Sequence, residues 1–331
     1  MRRSRRDEPM PKSASPKTSE EKPPPTPGAD GALRIGTGRA TGHHGEFLQG
    51  VFEGSDGRLH RGLITLPMAR EVSVVTFWPR PDGTISTRPE NRTKAARAAK
   101  LALTHLGLAQ AGGELTIESS IPVSHGYGSS TADVVAAIRA VADAAGRTLR
   151  SDTVCRLASE AEGASDAIAY DNQTVLFAQR EGRAIEHLGG ELPPLVVIGI
   201  RTMCTPIDTL ALPPARYSPF EIEMFRALRG AARRAVSHQD PRLLGKLASC
   251  SAWISQRHLP KPQFHEFVQL AEAHGACGVQ VSHSGTLIGA MFDATQSGLE
   301  AEILPFMDAV QETGRRKITA FAVNAELDFL P

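Results

Sequence analysis

Between residues 120 and 133 the chain reads Ser120-Ile121-Pro122-Val123-Ser124-His125-Gly126-Tyr127-Gly128-Ser129-Ser130-Thr131-Ala132-Asp133. Gly126 and Gly128 let the backbone fold tightly and come close to a ligand, and Ser129, Ser130 and Thr131 put three hydroxyls where a helix should begin. Free amides and the positive dipole end of a helix N-terminus make a phosphate site, so the chemistry this spacing points to is triphosphate binding. Taken alone, the same residues also make an ordinary turn and N-cap. A second set, Glu160, Glu162, Asp166 and Asp171, surrounds Gly163. An acid at a helix end, a glycine turn and a further acid can hold a divalent metal and a base close together, although a solvated acidic surface is the plainer reading of any such pair.

Two weaker stretches accompany these. Arg39-Ala40-Thr41-Gly42-His43-His44-Gly45-Glu46-Phe47-Leu48-Gln49-Gly50 alternates glycines with short apolar pieces. Its adjacent histidines should point to opposite faces of a strand, a poor arrangement for shared metal ligation. Gly275-Ala276-Cys277-Gly278-Val279-Gln280-Val281-Ser282-His283-Ser284-Gly285-Thr286 offers a turn between two strands, with His283, Ser284 and Thr286 able to face a ligand.

The loop resembles the second motif of the GHMP kinases, Pro-x-x-x-Gly-x-Gly-Ser-Ser, with Pro122, Gly126, Gly128, Ser129 and Ser130 at the matching places and Tyr127 where Leu or Met is common. The run Ser129-Ser130-Thr131-Ala132-Asp133 is similar to the L-threonine kinase branch, as is the Gly-Glu-x-x-Gln-Gly core at Gly45, Glu46, Gln49 and Gly50 after Arg39. His43 and His44 stand where that branch has Ser and Cys. The stretch ending at Thr286 resembles the branch's third motif. The resemblance implies an ATP- and Mg²⁺-dependent kinase for the hydroxyl of a small amino acid such as threonine. It assigns Pro122, Gly126, Tyr127, Gly128, Ser129, Ser130 and Thr131 to the nucleotide, and Ser130 and Glu162 to the metal, with Glu160 as the alternative. Asp166 becomes the catalytic base or orienting group, and Arg39, Glu46, Gln49, His283, Ser284 and Thr286 the acceptor pocket. Serine, homoserine or another biosynthetic hydroxy-amino acid would fit the same chemistry. A catalytically silent binding homologue and the decarboxylase branch stay open.

Positioning these groups requires a mixed set of elements. Strands are expected at 63–66, 72–77, 114–119, 195–200, 279–282, 287–292 and 318–323, and helices at 92–106, 131–145, 153–162, 241–256 and 262–274. Another helix should start at Ser218-Pro219 with Glu221 in its first turn, and Ser151 or Asp152 should cap the one before residue 163. Without regular strand-helix alternation the order favours α+β. The resemblance implies the two-domain GHMP kinase fold, with a ribosomal protein S5 domain 2-like N-terminal domain (32–190) and a ferredoxin-like C-terminal domain (191–331). Residues 1–31, rich in Pro, Ser, Lys, Glu and Gly, read as a disordered tail.

Composition narrows the function classes. The chain holds 37 basic and 36 acidic side chains, without the basic excess of a nucleic-acid-binding surface. No apolar run approaches a membrane span. Cys155, Cys204, Cys250 and Cys277 are isolated, which suits small hydrophobes in a reducing cytoplasm rather than a zinc site or a redox dithiol. A small-molecule substrate is the expected partner, and a homodimer is an open assembly state.

Overall fold

The computed structural model describes residues 33–123, 126–202, 216–283, 285–314 and 317–326, so the N-terminal tail and Ser284 lie outside the described residues. The chain opens with two long strands, β1 (Gly36–Glu53) and β2 (Leu59–Arg80), followed by β3 (Ile85–Arg88), helix α1 (Thr93–His105), β4 (Gly112–Ser119), α2 (Ser129–Ala144) and α3 (Ser151–Glu162). A 3-10 turn (Ala167–Tyr170) leads to β5 (Val175–Ala178) and β6 (Arg183–His187). The remainder runs β7 (Leu195–Arg201), α4 (Pro219–Ser237), α5 (Pro241–Ser255), α6 (Phe264–Ala273), β8 (Gly278–Val281), β9 (Leu287–Asp293), α7 (Glu300–Glu312) and β10 (Ile318–Val323).

These strands form one sheet in the order β10-β7-β9-β8-β1-β2-β4-β3, with β5 on β2 and β6 on β5. The last four strands, with helices between β7 and β8 and between β9 and β10, make a β-α-β-β-α-β unit of ferredoxin-like character. It joins the N-terminal half where Glu46 of β1 pairs with Val281 of β8. The larger hydrophobic core lies under β1, β2 and α1 to α3, and a second core lies among β7 to β9, α6 and α7.

Helix α2 is buried along nearly its whole length, and its alanines match glycines on β1. A Cβ on Gly38 would lie 2.0 Å from the Ala136 carbonyl oxygen, and one on Gly36 2.3 Å from that of Ala140. Only bare backbone lets this helix seat directly on the strand. At α4, Ser218 and Glu221 form the reciprocal capping box that the sequence signals, with Pro219 in the first turn. The cap of α3 differs from expectation: Arg150 holds that position without a side-chain bond. The segments expected as short strands at 63–66 and 72–77 belong to the single strand β2, and β3, β5, β6 and α7 are elements additional to those expected.

Candidate active site

The site begins with irregularity in β1. Residues 43 and 46 of a regular strand face opposite sides, but the register against β2 shifts between His43 and Glu46, where Gly45 takes φ 63°. His43 Nδ1 and Glu46 Oε1 therefore lie on one side, 3.8 Å apart. His44 points the other way, buried, and its Nδ1 accepts from Gln280 Nε2 at 2.5 Å. Its ring fills space left by glycine, since a Cβ on Gly199 would lie 2.0 Å from Nε2. Burial drives the His44 pKa down to about 3, which makes it a neutral packing residue.

Asp166 arrives from the end of α3, where Gly163 at φ 86° turns the chain back. It is buried, and its Oδ2 accepts from His43 Nε2 at 3.0 Å and from Thr131 Oγ1 at 3.3 Å. Burial alone would raise its pKa, but the His43 charge and hydrogen bond outweigh it and hold the carboxyl well below its usual range. For His43, burial would lower the value; Asp166 and then Glu46 reverse that and hold the imidazole up at about 9. Glu46 Oε2 accepts from the His283 backbone N–H at 2.6 Å, and Glu46 Oε1 lies 2.9 Å from His283 Nδ1. Carboxylate and imidazole thus alternate along Asp166, His43, Glu46 and His283.

Next to this chain lies the glycine loop. Gly126 and Gly128 take φ 97° and 70°, and α2 starts at Ser129 without a side-chain cap, which leaves its first amides for a ligand. Ser130 Oγ donates to Glu162 Oε2 at 2.6 Å, while Glu162 Oε1 and Ser129 Oγ are buried without hydrogen-bond partners. Burial pushes the Glu162 pKa up to about 7, with Lys94 Nζ at 3.7 Å in partial opposition. An all-oxygen donor set containing an unpartnered carboxylate oxygen fits a small hard divalent cation. Glu160 is exposed, and Asp171 is exposed and paired with Arg139, so neither alternative acid joins the cluster.

Other expected site residues divide. The Thr131 hydroxyl serves Asp166 rather than reaching outward from the loop. Tyr127 is buried, bonds Thr319 at 3.0 Å and packs edge-on against His44, so it can meet a nucleotide only through its backbone. Pro122 is exposed at the entry to the loop. The Gln49 amide donates to the Val281 carbonyl at 3.0 Å and ties β1 to β8 instead of lining a pocket. Arg39 stands exposed on β1, and none of the described side-chain contacts bring it to the cluster. Thr286 is fully buried with its hydroxyl unpartnered. Sequence reasoning missed Lys94, the structural part played by His43, and Lys261, whose buried ammonium donates to the Gly285 carbonyl at 2.6 Å. The bulge that gives His43 its role is signalled only by Gly45, and nothing near Lys261 in sequence marks it.

A glycine loop opening a buried helix, with one carboxylate on each of two neighbouring hydroxyls of its first turn, offers amides for a phosphate, oxygens for a divalent metal and an acid for a hydroxyl, the parts that phosphoryl transfer needs. Residues 93–178 match the GHMP kinases N terminal domain and residues 231–305 the GHMP kinases C terminal model. The chain is 29% identical over 255 residues to an L-threonine kinase of Salmonella typhimurium, covering 75% of this chain and 80% of that one. In fold it is similar to the mevalonate kinase of L. major (TM-score 0.62, 17% identity, covering 90% of this chain and 98% of that one). It is likewise similar to a homoserine kinase of Cytophaga hutchinsonii (TM-score 0.61, 14% identity, covering 87% and 95%). The chain thus carries the N-terminal and C-terminal domains of the GHMP kinases and is an ATP-dependent small-molecule kinase. No helix among the described residues is long and apolar enough to cross a membrane.

Proposed function

We propose that the protein transfers the γ-phosphoryl group of ATP to the side-chain hydroxyl of a small hydroxy-amino acid, with L-threonine the first candidate and homoserine or serine the next. One observation carries this reading: consecutive residues at the start of α2, Ser130 and Thr131, bond Glu162 and Asp166 respectively. The metal-side acid and the acceptor-side acid thereby flank the same phosphate-binding helix end. Similarity to an L-threonine kinase supports the acceptor class.

In this mechanism the loop 126–128 and the first amides of α2 bind the phosphates, and Glu162 with Ser130 would hold Mg²⁺. The bound metal would neutralise charge on the phosphates. Asp166 receives the acceptor hydroxyl, orients it and takes its proton as the bond to phosphorus forms. Because the transition state is largely dissociative, orientation matters more than early deprotonation. Glu46, His283 and Thr286 form the acceptor side. The N-terminal unit is taken as 32–190 and the C-terminal unit as 191–331.

The test is an ADP-release screen across hydroxy-amino acids with Mg-ATP, with products identified by phosphorus NMR. Turnover with threonine and formation of its O-phosphate supports the reading. ADP release only with acceptors that lack an amino-acid backbone would overturn it.

A further inference from the structure

His43 is buried where neither nucleotide nor acceptor chemistry requires it, and contacts from three parts of the chain converge on it. Its backbone N–H donates to the Tyr127 carbonyl at 3.0 Å, which fastens it beneath the glycine loop. A Cβ on Gly128 would lie 2.2 Å from the His43 ring, so the loop's second glycine is the surface on which the imidazole packs. Nε2 reaches Asp166 Oδ2 at 3.0 Å, and Nδ1 faces Glu46 Oε1 at 3.8 Å with no hydrogen-bond partner of its own. One ring thus touches the phosphate loop, the acceptor-side acid and the strand residue at which the two halves of the sheet join.

We propose that His43 is the positioning residue of Asp166: an imidazolium, clamped between Asp166 and Glu46 under the glycine loop, that fixes the direction of the Asp166 carboxylate at the phosphoryl-transfer position. The inference rests on the role of Asp166 proposed above. A buried carboxylate with a single neutral hydroxyl partner would be free to rotate and would favour its protonated form. Thr131 alone supplies that hydroxyl, and at 3.3 Å the bond is long. The imidazolium adds a charge-assisted bond that sets both ionisation and orientation.

The groups facing His43 are Asp166 from the turn after α3 and Glu46 from its own strand. Behind Glu46 stand His283, in contact with it, and Lys261, acting on it through charge. Glu162 acts on Asp166 from the far side, and neutral His44 lies on the opposite face of β1. Two carboxylates are in ion-pair contact with the ring, and His283, across Glu46, acts through charge on both His43 and Asp166.

The test compares the parent with His43→Gln and His43→Lys. Each is examined by urea midpoint, ATP calorimetry, and turnover against pH with the acceptor that the ADP-release screen selects. The His43 imidazole is titrated by NMR in the parent and in Asp166→Asn. His43→Gln should lower kcat roughly 10- to 100-fold, the size expected for a misplaced reacting group, with ATP affinity kept. It should also acquire an acid limb in kcat that the parent lacks, because Asp166 loses the charge that holds its pKa down, and it should lose the parent's alkaline limb near pH 9. His43→Lys, which restores the cation, should recover part of kcat. In the titration, Asp166→Asn should lower the His43 pKa. Equal kcat and an unchanged pH profile in His43→Gln would overturn the proposal. So would a neutral imidazole at pH 7, or a stoichiometric transition metal in the purified protein that His43→Gln removes. If no hydroxy-amino acid is turned over, the acceptor class fails, while the NMR titration still decides whether His43 is the imidazolium partner of Asp166.

Discussion

Glu162→Gln should make the metal-free protein more stable while it removes activity. The Glu162 side chain is only 3% exposed, and burial raises its pKa from 4.5 to about 7, so ionising it in the folded state is unfavourable. The sign follows from linkage. Below the ordinary carboxylate value both states carry the proton and no penalty exists; between 4.5 and about 7 only the unfolded state ionises; above that the penalty is complete. At about 1.4 kcal/mol per unit, the full shift corresponds to a loss on the order of 3 kcal/mol at pH 8. Glutamine keeps the shape and carries no charge, so the penalty disappears. Urea midpoints of parent and Glu162→Gln, measured without nucleotide or metal, should diverge in favour of the variant at pH 8 and converge near pH 4.5. Added Mg-ATP should stabilise the parent far more than the variant. A variant less stable than the parent at pH 8, or an equal response to Mg-ATP, would refute the assignment of Glu162 as a buried acid waiting for a cation.

Other expectations follow from single contacts. Gly128→Ala combines a left-handed φ with a Cβ 2.2 Å from the His43 ring, so ATP affinity and turnover should both fall, read by calorimetry and ADP release. Gly199→Ala places a Cβ 2.0 Å from His44 Nε2 and should destabilise by about 1–3 kcal/mol in a urea titration through overpacking. Ser218→Ala removes the capping box of α4 and should lower stability by about 0.5–2 kcal/mol with kcat unchanged. Deleting residues 1–31 should leave melting temperature and turnover unaltered, because their composition supplies neither core nor site.

The elements most legible in the sequence were those with local causes. The capping box at Ser218 and Glu221, the glycine loop before α2, and the apolar, β-branched stretch of β7 each announce themselves within a few residues. Resemblance assigns Ser130 and Glu162 together to a metal, and the two side chains lie 2.6 Å apart. What was not legible depends on contacts distant in sequence. Glu162 and Glu160 look alike until α3 is docked, when one turns inward and the other faces solvent. Gln49 reads as a pocket amide until β8 arrives beside β1 and takes its hydrogen bond. His43 and His44 follow the expected alternation, but only the bulge before Glu46 returns that acid to the His43 side and builds the charged chain to Asp166. Lys261 is brought to the third motif by tertiary packing alone.

The central claim is that Asp166 acts on the acceptor hydroxyl, and Asp166→Asn tests it most directly. Asparagine keeps the size of the side chain and an oxygen that can accept from Thr131 Oγ1, while it removes the charge. Calorimetry should therefore find ATP affinity close to the parent's, while ADP release at saturating threonine, or whichever hydroxy-amino acid the screen selects, falls by about 10²–10⁴. Turnover near the parent rate with ATP binding intact would contradict the account.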